Sequence, residues 1–265
     1  MSNALATDFY QLTMMQAFWE SGYNPDATFD YFVRKIPLGS YLVVAGLENV
    51  VEYIKNLRFD KKDIRFLSKH GFYPDFIDYL REFKFTGDVF AMPEGSIAFQ
   101  NEPIITVTAP IMEAQLIETY LLNKMNFSTL VATKAARVVQ AANGKDIIEF
   151  GMRRAHGEGY LEATRAAYVG GCSSSSNVMA GVRYGIPVAG TMAHSFVMSF
   201  ESEIAAFRAY ASVYPDKSIF LVDTYDTIEG TNNAIAVAKE LESLGKKLIG
   251  VRIDSGDLLV LSKKV

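Results

Sequence analysis

With 265 residues, 49% of them hydrophobic, the chain carries enough apolar matter for one large domain or two smaller ones. A formal charge of −4, with both signs spread along the sequence, excludes the basic stripe of a nucleic-acid binder, so any acidic ligand must be held by a few placed arginines. The one cysteine, Cys172, excludes an intrachain disulfide, makes a cysteine-built zinc cage improbable and suits a reducing cytoplasm.

The opening stretch MSNALATDFYQLTMMQAFWESG lacks the basic start and long apolar run of a signal peptide. No run approaches the ~18 apolar residues of a membrane span, and a soluble, cytoplasmic protein is expected. Thr7 reads as the N-cap of a helix from Asp8 to about Ser21, stopped by Gly22, with Phe9, Leu12, Met15 (or Gln16) and Trp19 inward. ATFDYFVRK alternates Phe29, Tyr31 and Val33 against Asp30, Phe32 and Arg34, the period of a strand. Short helices are expected from GLENVVEYIKNL to about Glu82. Gly87 to Ala109 reads as strands with Pro and Gly punctuation. Two helices should follow, Glu113 to Met125 and Thr129 to Ala142.

After Gly144 short apolar strands alternate with helices: DIIEFG, AAYVGG, IPVAGT, SIFLVDTY and KKLIGVRIDSG. That rhythm predicts a parallel sheet, either a barrel or a doubly wound sheet. A full (β/α)₈ barrel needs roughly 200 to 250 residues and eight strands. Only about five strands fit between Asp146 and the end of the chain, so part of the sheet is expected to be absent.

A parallel sheet gathers the carboxyl ends of its strands on one face. The polar residues there are Phe150's neighbours Arg153 and Arg154; Cys172 to Asn177; Thr191 and His194; Asp223, Thr224 and Asp226; and Arg252, Asp254, Ser255 and Asp257. There is no nucleophile elbow, Walker loop, G-x-G-x-x-G or metal-binding histidine pair. Arginines, carboxylates, hydroxyls, one aromatic and one imidazole suit a phosphorylated or carboxylated small molecule with Mg²⁺ nearby. Singly, each residue has a plainer reading: His194 as a satisfied strand-end histidine, Asp226 as a helix cap, an arginine as a solvated side chain.

Taken in order, ATDFYQLTMMQAFWESG, FDYFVRKIP, VVAGLENVVEYI, EFGMRRAHG, GGCSSSSNVMAG, GIPVAGTMAHSFVMSF, LVDTYDT and GVRIDSGDL make the chain resemble the nicotinate phosphoribosyltransferase family over essentially its whole length. Nicotinamide and quinolinate phosphoribosyltransferases share the pattern more distantly. The resemblance implies an α/β fold: the irregular (β/α) barrel of the type II phosphoribosyltransferases with a second α+β domain. Residues 1–143 would be the N-terminal α+β domain and 144–265 the first, incomplete part of the barrel. The implied reaction joins the pyridine nitrogen of nicotinate to C1 of phosphoribosyl pyrophosphate and releases pyrophosphate, a step of NAD salvage. ATP hydrolysis is coupled to it through transient phosphorylation of a histidine, here His194, with Mg²⁺ required and its ligands unidentified.

The same resemblance assigns Asp223 to the neighbourhood of that histidine, orienting the ring through Nδ1 or holding metal-bound water. Arg252 and Asp254 match ribosyl-pyrophosphate contacts, and Arg153 a pyridine and diphosphate contact. Phe150 would stack on one face of the base. Tyr10 would close the other face from a second subunit, and Arg34 would reach a phosphate across that interface, which implies a homodimer with shared active sites. Ser176 matches the position that is aspartate in nicotinamide-using relatives; a hydroxyl donates to a carboxylate without repelling it. Ser174 and Ser175 replace the family's Gly-Thr pair before it, so the register within Ser173–Ser176 admits a shift of one residue. Family members continue past DSGDL with Gly-rich turns that hold the 5′-phosphate. A partial sequence of the enzyme is therefore expected, and turnover by the 265-residue form stays an open question at this point. The alternatives are a truncated, non-catalytic relative that binds nucleotides or a full-length partner, and an enzyme using nicotinamide.

Overall fold

The computed structural model describes residues 3–36 and 40–265. Pro37, the last residue of the FDYFVRKIP motif, lies outside the described residues. The chain groups into two compact units, Met1–Val188 and Ala189–Val265.

In the first unit, helix α1 (Phe9–Glu20) starts after Asp8, not after a capping Thr7. The Thr7 hydroxyl donates to the carbonyl of Leu116 at 3.2 Å, and the Asp8 carboxylate accepts from Thr119 Oγ1 at 2.7 Å. Tertiary contacts thus replace the local cap. The buried face of α1 is Gln11, Leu12 and Met15; Phe9, expected inside, is 57% exposed and meets Phe72 edge-on.

Strand β1 (Asp26–Tyr31) ends before Arg34, followed by β2 (Leu42–Val43), helices α2 (Leu47–Lys55), α3 (Lys61–Ser68) and α4 (Pro74–Arg81), and strands β3 (Asp88–Ala91), β4 (Ile97–Ala98) and β5 (Ile105–Pro110). β5 lies between β1 and β3, antiparallel to both, with Tyr31 opposite Ile105. Ile105, Val107 and Ala109 of β5 face the core, as the period-2 pattern requires. β2 pairs with β4.

Helix α5 (Ile111–Leu116) leads into α6 (Glu118–Ala141), which runs unbroken where two helices were expected. The intervening Asn126-Phe127-Ser128 has no helix breaker, and its polarity serves packing. Thr133 Oγ1 accepts the Val43 N–H at 2.9 Å and Thr129 Oγ1 the Ala45 N–H at 3.3 Å, so threonines on a helix satisfy β2 and the segment just after it in place of a neighbouring strand.

Strand β6 (Ile148–Glu149), a 3-10 turn at Met152–Arg154, helix α7 (Gly159–Val169), strand β7 (Ser174–Ser175) and helix α8 (Val178–Tyr184) complete this unit. β6 and β7 are parallel, and Val188 bridges Ser175 in parallel. AAYVGG is not a strand: residues 166–169 are the end of α7. Gly170 beyond them packs so closely that an added Cβ would lie 2.4 Å from the Ala132 carbonyl.

The second unit contains α9 (His194–Met198), α10 (Glu203–Val213), β8 (Ile219–Leu221), α11 (Thr227–Ser243), β9 (Gly250–Arg252) and α12 (Leu258–Leu261). β8 and β9 are parallel, joined through α11. Its own core centres on Phe207 and Phe220, stacked at 4.7 Å, with Val197, Val222 and Val237 around them. Among the described residues no helix is long and apolar enough to cross a membrane.

Candidate active site

Because β8 and β9 are parallel neighbours, both chains leave the sheet at the same end, and their polar residues meet there. Asp226 caps α11, accepting the N–H groups of Ile228 and Glu229, both at 2.9 Å. The loop before it is thereby held short. Asp223 Oδ2 accepts the Asp254 N–H at 2.9 Å and the Ser255 hydroxyl at 2.6 Å, tying the two loops together. Its Oδ1 is buried and has no hydrogen-bond partner among the described residues.

Arg252, the last residue of β9, donates from Nη2 to Asp254 Oδ1 at 2.6 Å and from Nη1 to Thr191 Oγ1 at 3.0 Å. The hydrogen bond from Arg252 is the main reason that the Asp254 carboxyl is held below its ordinary value; the charges of Arg252 and His194 act in the same direction, against partial burial. Asp254 Oδ2 lies 3.6 Å from His194 Nε2. The other ring nitrogen, Nδ1, is 3.2 Å from Thr224 Oγ1. The ring is therefore oriented by Thr224, and Asp223, one of the two expected roles notwithstanding, binds the opposite loop. His194 is the first residue of α9, with its side chain 39% exposed.

The structure thus brings Asp223, Arg252 and Asp254 into one hydrogen-bonded cluster within the second unit, with the His194 ring 3.6 Å from Asp254 at its edge. Thr191, Thr224 and Ser255, noted in the sequence only as strand-end polar residues, are the atoms that hold it. Glu203 behind the cluster was not legible. It is 7% exposed, with Oε2 accepting from Asn233 Nδ2 at 3.0 Å and Oε1 buried without a partner.

In the first unit the ends of β6 and β7 are likewise adjacent. Phe150 follows β6, 39% exposed, and Arg153 stands exposed on the 3-10 turn beyond it. Ser176 follows β7; its N–H donates to the Glu149 carbonyl at 3.0 Å, and among the described residues its half-buried hydroxyl has no partner. The other hydroxyls of the run are differently placed. Ser173 donates to the Ile147 carbonyl at 3.2 Å, Ser175 donates to Glu149 Oε2 at 2.7 Å, and Ser174 is buried in the strand. Glu149, also missed in the sequence, gave one signal: an acid inside an otherwise apolar strand.

Tyr10 and Arg34 belong to the helical and antiparallel layer. Tyr10 is 49% exposed, and its hydroxyl accepts from Gln11 Nε2 at 3.2 Å, which also donates to Glu118 Oε2 at 2.5 Å. Glu118 and the exposed Arg34 both line a cleft of about 230 Å³ with Tyr31 and Leu121. A larger cleft of about 990 Å³, between the N-terminal segment, α2 and α6, is lined by none of the expected site residues.

Two family models match: the nicotinate phosphoribosyltransferase N-terminal domain over residues 5–126 and the nicotinate phosphoribosyltransferase family over residues 146–265. A nicotinate phosphoribosyltransferase of Mycobacterium tuberculosis is 48% identical over 263 residues, 98% of this chain and 56% of that protein. The nicotinate phosphoribosyltransferase of Bacillus subtilis is 47% identical over 270 residues, 99% of this chain and 54% of its own length. The chain spans about half the length of these curated relatives. Among solved structures, human nicotinic acid phosphoribosyltransferase superposes with a TM-score of 0.88 at 36% identity, covering 97% of this chain and 63% of that one. Nicotinate-nucleotide pyrophosphorylase from Pyrococcus furiosus gives 0.81 at 25% identity, over 100% and 61%. These neighbours carry the fold class expected from the sequence, that of the type II phosphoribosyltransferases.

Proposed function

For a chain that belongs to the nicotinate phosphoribosyltransferase family, we propose that it serves the transfer of phosphoribosyl from phosphoribosyl pyrophosphate to nicotinate, giving nicotinate mononucleotide and pyrophosphate, with ATP hydrolysed through a phosphorylated His194. The observation that carries this reading is the imidazole held between Thr224 and Asp254, with Arg252 on the same carboxylate. A carboxylate at Nε2 favours the tautomer with its proton there, which leaves the nucleophilic lone pair on Nδ1 beside the Thr224 hydroxyl. Attack on the γ-phosphorus of ATP forms the N–P bond and releases ADP; hydrolysis of that bond by water later returns the free imidazole and phosphate.

Transfer at C1 needs no general base, because the pyridine nitrogen already presents a lone pair. The work of the protein is to orient the reactants and to stabilise the departing diphosphate and the oxocarbenium-like centre. Arg252 and Arg153 serve the diphosphate, Asp254 the ribosyl pyrophosphate, and Phe150 the face of the base. Ser176 offers a hydroxyl to the nicotinate carboxylate. Tyr10 and Arg34 act from a second copy of the chain, in a homodimer of the cytoplasm.

Mg²⁺ on diphosphate oxygens needs only one or two protein carboxylates. Asp223, with a buried oxygen lacking a partner, and Asp254 on the same rim fit that requirement and would hold it. Bound there, Mg²⁺ would neutralise charge on the diphosphate.

The test is incubation with γ-labelled ATP, nicotinate, Mg²⁺ and phosphoribosyl pyrophosphate. Acid-labile, alkali-stable label on the chain is expected, absent in His194→Ala, with nicotinate mononucleotide as product. Labelling and ATP stimulation that persist in His194→Ala would refute the phosphohistidine. A chain that neither forms nor binds nicotinate mononucleotide would refute the whole reading.

A further inference from the structure

The Glu149 carboxylate belongs to no step above, yet it joins three elements beneath the residues assigned to the base. Oε2 accepts from Ser175 Oγ at 2.7 Å on β7 and from Thr164 Oγ1 at 3.0 Å on α7, while Oε1 accepts the Gly151 N–H. Buried Asn177 closes the network: its side-chain Nδ2 donates to Thr164 Oγ1 at 3.0 Å, its backbone N–H donates to Ser175 Oγ at 3.0 Å, and its side-chain Oδ1 caps α8 by accepting the Ala180 N–H at 3.2 Å. Glu149 directly precedes Phe150, and its backbone carbonyl accepts the Ser176 N–H. One carboxylate thus folds back over the turn that carries the ring and also engages the serine preceding the free hydroxyl.

Gly151 is what permits this. Its φ of −84° asks for no glycine, but a Cβ there would lie 2.7 Å from Glu149 Oε1. The residue after the ring is small so that the carboxylate can return to the backbone.

We infer that Glu149 is a positioning residue that sets the choice between a pyridine carboxylate and a pyridine carboxamide. It does so by engaging Ser175 and leaving Ser176 as the hydroxyl available to the ring substituent. With three hydrogen bonds already accepted by its two oxygens, the carboxylate also has little acceptor capacity left for a carboxamide NH₂, the group that would otherwise favour the amide. The inference rests on the proposed function.

Calorimetric binding of nicotinate mononucleotide and nicotinamide mononucleotide, which differ only in that substituent, tests it on the intact chain. Gly151→Ala displaces the carboxylate by contact while leaving Glu149 itself in place, and Ser175→Ala removes its partner. Each should weaken the nicotinate compound by about tenfold, the scale of one charge-assisted hydrogen bond. The nicotinamide compound should change by less than about twofold in the same variants, so the preference collapses while the melting temperature stays near that of the wild type. An unchanged ratio in both variants would overturn the inference, and so would an equal loss for both compounds with a fall in melting temperature, the mark of a merely structural role. If the wild-type chain binds neither compound, the proposed function itself fails; if it binds both and the ratio is insensitive, only the inference does.

Discussion

At His194 the sequence suggested an imidazole at a strand end, and the structure shows what a lone histidine needs in order to be more than that: a different partner on each nitrogen, 3.2 Å and 3.6 Å away. Glu203, behind it, is the opposite case, an acid with too few partners. Burial is the main cause that lifts its carboxyl above the ordinary value; the Asn233 hydrogen bond opposes this, and the charges of Glu229, Asp223 and Asp226 add to it. The sign follows from linkage. A carboxyl whose folded value is raised carries no penalty below its unfolded pKa of about 4.3, and the ionised form destabilises the fold as pH rises through the folded value. Glu203→Gln should therefore melt close to the wild type at about pH 4. At pH 8 it should melt higher than the wild type. Paired thermal melts across that range in chelator check it; a variant that melts lower at pH 8 would show that the ionised form of Glu203 supports the fold.

Among elements, α11 shows how closely the helix that joins β8 to β9 must lie on the sheet. A Cβ on Gly230 would sit 2.1 Å from the Val222 carbonyl oxygen and 3.1 Å from Glu203 Oε2, and the first is backbone that cannot turn aside. Gly230→Ala should cost about 1–3 kcal/mol through a forced shift of the helix, despite alanine's better helix propensity. Gly190→Ala, where a Cβ meets nothing within 4 Å, should leave the midpoint of urea unfolding in place. Equal midpoints for the two variants would refute the packing argument. Elements of this kind were unevenly legible. β5 was readable because Ile105, Val107 and Ala109 alternate with half-buried residues, a period that only a strand gives. Residues 166–169 were misread because Ala-Ala-Tyr-Val is a short apolar run, and such a run on a buried helix has no period to distinguish it from a strand. The strand-end residues of the site could be gathered from sequence since parallel pairing dictates where they emerge. Glu149 and Glu203 could not, because their partners Thr164 and Asn233 lie 15 and 30 residues away and leave no local pattern.

For the molecule as a whole, a formal charge of −4 means that an anionic ligand would gain nothing from its overall field, so its recognition would fall to individual groups. Two of those assigned by family pattern, Tyr10 and Arg34, are exposed, and nothing within their own unit uses them as core. α1 further exposes Phe9 at 57% and Met14 at 38%, with Tyr23 beyond its end at 57%, apolar surface of the kind that marks a contact face. If each site takes Tyr10 from one subunit and His194 from the other, two inactive variants should repair each other. Tyr10→Ala and His194→Ala, unfolded together in equal amounts and refolded, give heterodimers in about half of the pairs. Each such pair has one intact site and one doubly altered site, so about a quarter of wild-type activity should return. Tyr10 and His194 acting from the same chain would return none, since every site would then carry one of the two substitutions. A mixture that stays as inactive as its parents, with dimers present by ultracentrifugation, would place Tyr10 on its own chain's site and remove the reason for the exposed face of α1.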